Sequence, residues 1–222
     1  MPVNNSAAHS ERLKITEIFL SLQGETRSSG WPTVFVRLTG CPLRCTWCDT
    51  AYAFSGGEWM SQQDILSEVK QHSVKHVTVT GGEPLAQEGC VELLTHLADA
   101  GYEVSLETSG AIDVSKVDTR VIKIVDLKAP GSGEESKNLW SNLEHLQAHD
   151  QVKFVINDRA DYDWATEVTN KHQLNQTCEV LYSPVADHMN HTELADWIVA
   201  DAAPVRFQIQ LHKHLWGDSP GR

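Results

Sequence analysis

Seven short runs rich in β-branched and aromatic residues recur along the 222-residue chain, most of them followed by a stretch with helical spacing. The runs are TVFVRLTG (33–40), KHVTVT (75–80), YEVSLETSG, RVIKIVDLKAPGSG, QVKFVIN, CEVLYSPV and VRFQIQL. Helices are expected over MSQQDILSEVKQH, where Ser61 and Asp64 form a capping box, and over CVELLTHLADAG, closed by Gly101. Further helices are expected over SKNLWSNLEHLQAH, DYDWATEVTNKHQ and TELADWIVADA, the last capped by Asn190 with Glu193. Strands that alternate with helices close into a parallel sheet with crossover connections. Six or seven such units predict an α/β fold, an incomplete (β/α) barrel of mostly parallel strands. Residues 13–222 are expected to form a single domain behind a disordered tail over 1–12.

In parallel sheets the working residues gather beyond the carboxyl ends of the strands. TGCPLRCTWCDT, TGGEP, ETSG and DLKAPGSG each follow a predicted strand directly, so all four should share one face.

The first of these loops places Cys41, Cys45 and Cys48 within eight residues, and leaves only Cys90 and Cys178 elsewhere. Five cysteines is an odd number, which argues against a complete disulfide framework. Cys90 and Cys178 fit no motif and are expected to pack in the core. Thiolates are soft ligands suited to zinc or iron–sulfur groups. A structural zinc would need a fourth ligand, for which a histidine is available. An iron–sulfur cluster on three thiolates would keep one iron open to another ligand.

The net charge of −12 disfavours nucleic acid or an anionic membrane as partner. No apolar run reaches membrane-spanning length, and the polar start MPVNNSAAHSER has no signal-like core. A cytoplasmic location is therefore expected.

Cys-x3-Cys-x2-Cys with Trp47 before the last cysteine resembles the cluster motif of radical S-adenosylmethionine enzymes, and TGGEP resembles their second motif. The resemblance implies a [4Fe-4S] cluster on Cys41, Cys45 and Cys48 whose open iron would chelate S-adenosylmethionine, one electron from the reduced cluster splitting the sulfonium into methionine and a 5′-deoxyadenosyl radical. SLQGE, Arg37, CDT, ETSG, DLKAPGSGE and QLHKHLWG together narrow the similarity to the 7-carboxy-7-deazaguanine synthases, over nearly all of residues 15–217. That family contracts the ring of 6-carboxy-5,6,7,8-tetrahydropterin and releases ammonia, on the route to queuosine and other 7-deazapurines. The similarity implies magnesium, a homodimer, and an electron donor such as flavodoxin or ferredoxin.

Site residues follow from the same resemblance. Leu22, Gln23, Gly24, Glu25, Arg37, Thr80, Glu107 and His212 are the implied substrate contacts. Arg37 offers a fork matched to the pterin carboxylate, and Glu107 an acceptor for its guanidine-like edge. Thr46, Trp47, Asp49, Gly82, Asp126, Leu127 and Lys128 are the implied S-adenosylmethionine contacts. Many relatives carry SPK where this chain has DLK. Thr50 is the implied magnesium ligand; read alone, it could equally cap the next turn. No side chain is implied as a catalytic acid or base, because the cofactor radical takes the hydrogen. Trp140, Trp164 and Trp197 suit the core or a dimer face, and Trp31 and Trp59 are expected to shield the site from water. Two other classes fit parts of the sequence: an activase of a glycyl-radical enzyme, and a zinc-stabilised binding module.

Overall fold

Alternation within the strands decides which face of the sheet is apolar. In the computed structural model, which describes residues 12–217, 219 and 221, Val34, Val36 and Leu38 pack outward with Val77, Val79, Val104 and Leu106. Their neighbours Phe35, Arg37, Thr80 and Glu107 line a cavity on the opposite, inner face. A period of two therefore divides an apolar, helix-covered face from a polar inner one.

The strands are β1 (Arg12–Leu22), β2 (Pro32–Leu38), β3 (Glu58–Ser61), β4 (His76–Gly81), β5 (Glu103–Thr108), β6 (Ile122–Asp126), β7 (Gln151–Ile156), β8 (Glu179–Pro184) and β9 (Arg206–Phe207). Among the described residues they form one nine-stranded sheet in the order β3-β1-β2-β4-β5-β6-β7-β8-β9. From β2 to β9 every pairing is parallel, while β1 pairs antiparallel with both β2 and β3. The two edges do not meet, which is the incomplete barrel the alternation predicts.

Two groups of helices cover the outer face. Helices α1 (Gln62–Lys70) and α2 (Cys90–Asp99) bury Ile65, Val69, Leu93, Leu94 and Leu97 against the first half of the sheet. Helices α3 (Arg159–Lys171), α4 (Leu174–Thr177) and α5 (His191–Ala200) bury Tyr162, Ala165, Leu174, Leu194 and Ile198 against the second. Caps set their starts: Ser61 accepts from Asp64 N, Asp158 from Asp161 N, and Asn190 from Thr192 N and Glu193 N. Cys90 and Cys178 are buried within the two cores, as expected. No helix among the described residues is long and apolar enough to cross a membrane.

The structure departs from the sequence reading in five places. Strands β1 and β3 lie outside the seven expected runs. Residues 1–11 lie outside the described residues, and Arg12, assigned to the tail, already opens β1. The helix expected over SKNLWSNLEHLQAH is instead two 3-10 segments, Glu135–Lys137 and Trp140–His145. Asparagine side chains compete there with helical bonding. Asn138 exchanges two hydrogen bonds with the Lys128 backbone, and Asn142 donates to Gly110 O and Ile112 O while accepting from Val114 N. The segment thus staples the loops after β5 and β6. VRFQIQL, expected as a full strand, holds only Arg206 and Phe207 in the sheet, and helix α6 (Leu211–Trp216) starts within it. Gln208 and Gln210 turn inward instead, to hydrogen-bond the loop after β1. Finally, Trp31 and Trp59 do not line the cavity; both are exposed, Trp59 on the edge strand β3.

Candidate active site

Loops after β2, β4, β5, β6 and β8 meet the β1–β2 loop and α6 around a cavity of about 460 Å³. The four suggestive loops do share one face. All the candidate residues line this cavity except Gly24, Thr46 and Leu127.

The cysteine loop is held from several sides. Leu43 is buried at its centre. Arg44 N donates to Glu134 Oε1, its guanidinium lies 4.2 Å from the Phe54 ring centre, and Thr46 N donates to Ser132 O at 3.0 Å. Gly82 approaches so closely that an added Cβ would sit 2.4 Å from Gly40 O and 2.7 Å from Cys41 Cβ. Glu83, fully buried, accepts from Leu85 N, Thr108 Oγ1, Ser109 N and Ser109 Oγ, and so locks TGGEP to ETSG.

Cys41, Cys45 and Cys48 are reduced, partly exposed thiols that all face the cavity. Burial pushes the Cys41 and Cys45 thiols above their ordinary pKa. Among the described residues no three His, Cys, Asp or Glu side chains form a cage for a single ion. The donor set fits an iron–sulfur cluster, whose thiolate ligands come from short spacings of this kind. A second observation fits a bound cofactor: Asp126 Oδ1, on the cavity wall, is buried with no hydrogen-bond partner. Thr50 makes no side-chain cap bond to the turn Ala51–Phe54, which removes the capping alternative; its hydroxyl lies 3.8 Å from Cys48 Sγ.

Two polar arrays form the rest of the wall. In the first, Gln23 Nε2 donates to Thr78 Oγ1 and to Glu107 Oε1 (3.2 Å), and Thr80 Oγ1 donates to Glu107 Oε2 (3.2 Å). Glu107 has no salt-bridge partner among the described residues, so it is not half of a buried ion pair. Burial, then the nearby Glu25 charge, pushes its carboxyl above the ordinary pKa. Arg37 stands beside this array; its Nε donates to Glu17 at 2.7 Å, which steadies the guanidinium against the cavity.

In the second array Lys153 Nζ lies 2.8 Å from Glu25 Oε2 and 3.5 Å from Asp126 Oδ2, and Lys128 Nζ lies 3.1 Å from the same Asp126 oxygen. Burial works to raise the Glu25 pKa, yet the Lys153 ammonium and hydrogen bonds from Lys153 and Gln210 hold it below the ordinary value. Gln210 Nε2 also donates to Asp49 Oδ2 (3.1 Å). His212 rests on Gly24, where a Cβ would meet its Nδ1 at 2.0 Å, and burial favours its neutral form.

Three candidates act from behind the wall. Gly24 seats His212, Thr46 Oγ1 donates to Ser132 O, and the Leu127 side chain is buried in the second core. Lys153 and Gln210 were absent from the sequence reading. For Lys153 a signal was present: a lysine stands in the middle of the otherwise apolar run VKFVI of QVKFVIN.

The model of the Radical SAM superfamily matches residues 35–127. A 7-carboxy-7-deazaguanine synthase of Koribacter versatilis is 44% identical over 92% of this chain and 97% of its own. The 7-carboxy-7-deazaguanine synthase of Chlorobaculum tepidum is 41% identical over 92% of this chain and 94% of its own. Among solved structures, QueE from Escherichia coli superposes with a TM-score of 0.77 at 24% identity, covering 95% of this chain and 100% of that one, and so shares the fold.

Proposed function

The chain belongs to the 7-carboxy-7-deazaguanine synthase family of radical S-adenosylmethionine enzymes, and from that premise we propose how its residues divide the work. The reaction is the family's radical ring contraction of 6-carboxy-5,6,7,8-tetrahydropterin to 7-carboxy-7-deazaguanine, with loss of ammonia. The observation that carries the assignment of roles is the meeting of three thiols, one guanidinium and two carboxylate arrays in a single cavity.

When bound, the [4Fe-4S] cluster and S-adenosylmethionine supply the radical chemistry. Cys41, Cys45 and Cys48 would hold the cluster. Asp126 and Lys128, with Trp47, Asp49 and Gly82, line the S-adenosylmethionine half; Thr46 and Leu127 shape it from behind. Arg37 pairs with the pterin carboxylate, a match of planar fork to planar anion. Glu107, steered by Gln23 and Thr80, reads the amine-rich edge of the ring, with Leu22 and Glu25 beside it. The neutral His212 closes the same half over Gly24. Thr50 offers a hydroxyl oxygen to magnesium, with waters completing the shell. Kinship supports a one-electron protein donor such as flavodoxin or ferredoxin, a homodimer, and a cytoplasmic location.

The test is anaerobic reconstitution with iron and sulfide, followed by dithionite, S-adenosylmethionine, magnesium and the pterin, with products read by mass spectrometry. Formation of 7-carboxy-7-deazaguanine supports the assignment. Cleavage to 5′-deoxyadenosine alone removes the substrate, and a colourless protein holding only zinc removes the chemistry as well. Omitting magnesium should lower turnover if Thr50 serves as proposed.

Gly24→Ala gives a sharper check of the substrate half. Overpacking costs about 1–3 kcal/mol, here borne by the contact with His212. The pterin KM should rise roughly tenfold to a hundredfold, with iron content unchanged. An unaltered KM would remove His212 from the substrate site.

A further inference from the structure

We propose that Lys153 is a positioning residue that joins the substrate half of the cavity to the cofactor half, its single ammonium fixing the Glu25 and Asp126 carboxylates at once. This inference rests on the division of the cavity given above.

The geometry begins in the sheet. Asp126 on β6 and Lys153 on β7 are register partners, and both side chains point to the cavity face. Glu25 reaches the same ammonium from the β1–β2 loop, 128 residues away in sequence. Stability alone does not account for a lysine here. A buried ion group is often no better for stability than apolar residues of the same volume, and the next inward-facing position on β7 is Val155. What the ammonium provides is a shared anchor. One Asp126 oxygen is held by Lys153 and Lys128, which leaves Oδ1 unpartnered on the cavity wall. One Glu25 oxygen is held by Lys153 and the other by Gln210.

The surroundings make that anchor hard to replace. Glu25 faces Glu107 on β5 and Asp49 on the cysteine loop, with Gln208, Gln210 and His212 from the C-terminal segment, and shares the Lys153 ammonium with Asp126 on β6. Burial by itself would strip the proton from Lys153, and the carboxylates of Glu25, Asp126 and Glu107 reverse this and hold it charged. Without the ammonium, Glu25 would keep neutral amide donors and acidic neighbours. Its pKa would move upward, and the carboxylate would take up a proton as the pH falls through that raised value.

The experiment measures pterin binding by anaerobic calorimetry on reconstituted, S-adenosylmethionine-loaded, unreduced enzyme from about pH 6 to about pH 9. Wild type, Lys153→Met, Lys153→Arg, Glu25→Gln and the Lys153→Met/Glu25→Gln pair are compared, with iron content as the check on folding. Lys153→Met should bind the pterin roughly thirtyfold or more weakly, and the deficit should grow toward acid pH. Lys153→Arg should restore the flat wild-type profile, and Glu25→Gln should abolish the added pH dependence in the double variant. A constant deficit across pH, or a full Glu25→Gln effect on top of Lys153→Met, would overturn the proposal. If Lys153→Met does not fold, an Arg variant with the methionine-like profile expected of a missing anchor would overturn it equally. Failure of the wild type to bind the pterin would overturn the functional reading, and this inference with it.

Discussion

Cys45→Ala should yield a folded protein that loses its iron and makes no detectable product. The cysteine loop does not depend on that thiol for its shape. Its anchors are buried Leu43, the Arg44 contacts to Glu134 and Phe54, and the two bonds from Thr46 to Ser132. Removing one partly exposed sulfur therefore changes the ligand set and little else. With two thiolates the loop lacks the three-point grip, and the expected loss exceeds the roughly 10–100-fold drop that follows from disturbing the partners of metal ligands. Iron and sulfide analysis, visible absorbance and product yield test this together. Retained iron with retained product would show that Cys45 is not a ligand. Cys90→Ala is the control: that thiol is fully buried in the first core and pushed upward by burial, so its loss should reduce stability and leave iron content alone.

The second large effect lies at the other end of the sheet. Lys123, near the start of β6, and Asp150, just before β7, form an ion pair at 2.8 Å with side-chain exposures of 3% and 0%. Asp150 also accepts from Lys123 N at 2.7 Å and from Gln147 N at 2.8 Å. Asp150→Ala would strand a buried ammonium and two backbone donors, a change that costs about 3–5 kcal/mol. Urea melts at neutral pH should show the shift, and salt should not mimic it, since buried pairs are poorly screened. The double variant Lys123→Met/Asp150→Leu should regain the part due to the stranded ammonium and keep the part due to the two unpaired backbone donors. A shift in Asp150→Ala below about 1 kcal/mol would place the pair among surface-like contacts. Pterin affinity of the folded fraction should be unchanged, because the pair does not line the cavity.

Local patterns carried much of this structure. Period-two strands, the helix caps at Ser61 and Asn190 and the position of chemical motifs after strands all follow from short-range rules, and these are where expectation and structure agree. Three of the misses share a different cause. Asn138 and Asn142 turned a helical pattern into 3-10 segments by bonding loops that are distant in sequence. Gln208 and Gln210 left the last strand for partners in the β1–β2 loop. Lys153 stood out chemically, but its role needed Glu25 and Asp126 beside it. Thr50 shows the converse: two local readings were open, and the absence of a cap bond closed one. At Asn138, Asn142, Gln210 and Lys153 a side-chain amide or charge bonds a partner ten or more residues away along the chain.

The grip on Glu25 has a consequence for how the protein comes into being. Its partners Lys153, Gln208 and Gln210 follow it by 128, 183 and 185 residues. A ribosome delivers Glu25 early and these partners late, and loops this long close slowly. Most of the sheet can therefore pair while the β1–β2 loop still lacks its clamp. A nascent chain therefore has no finished place for substrate until the segment through His212 has been made and has folded back onto the β1–β2 loop.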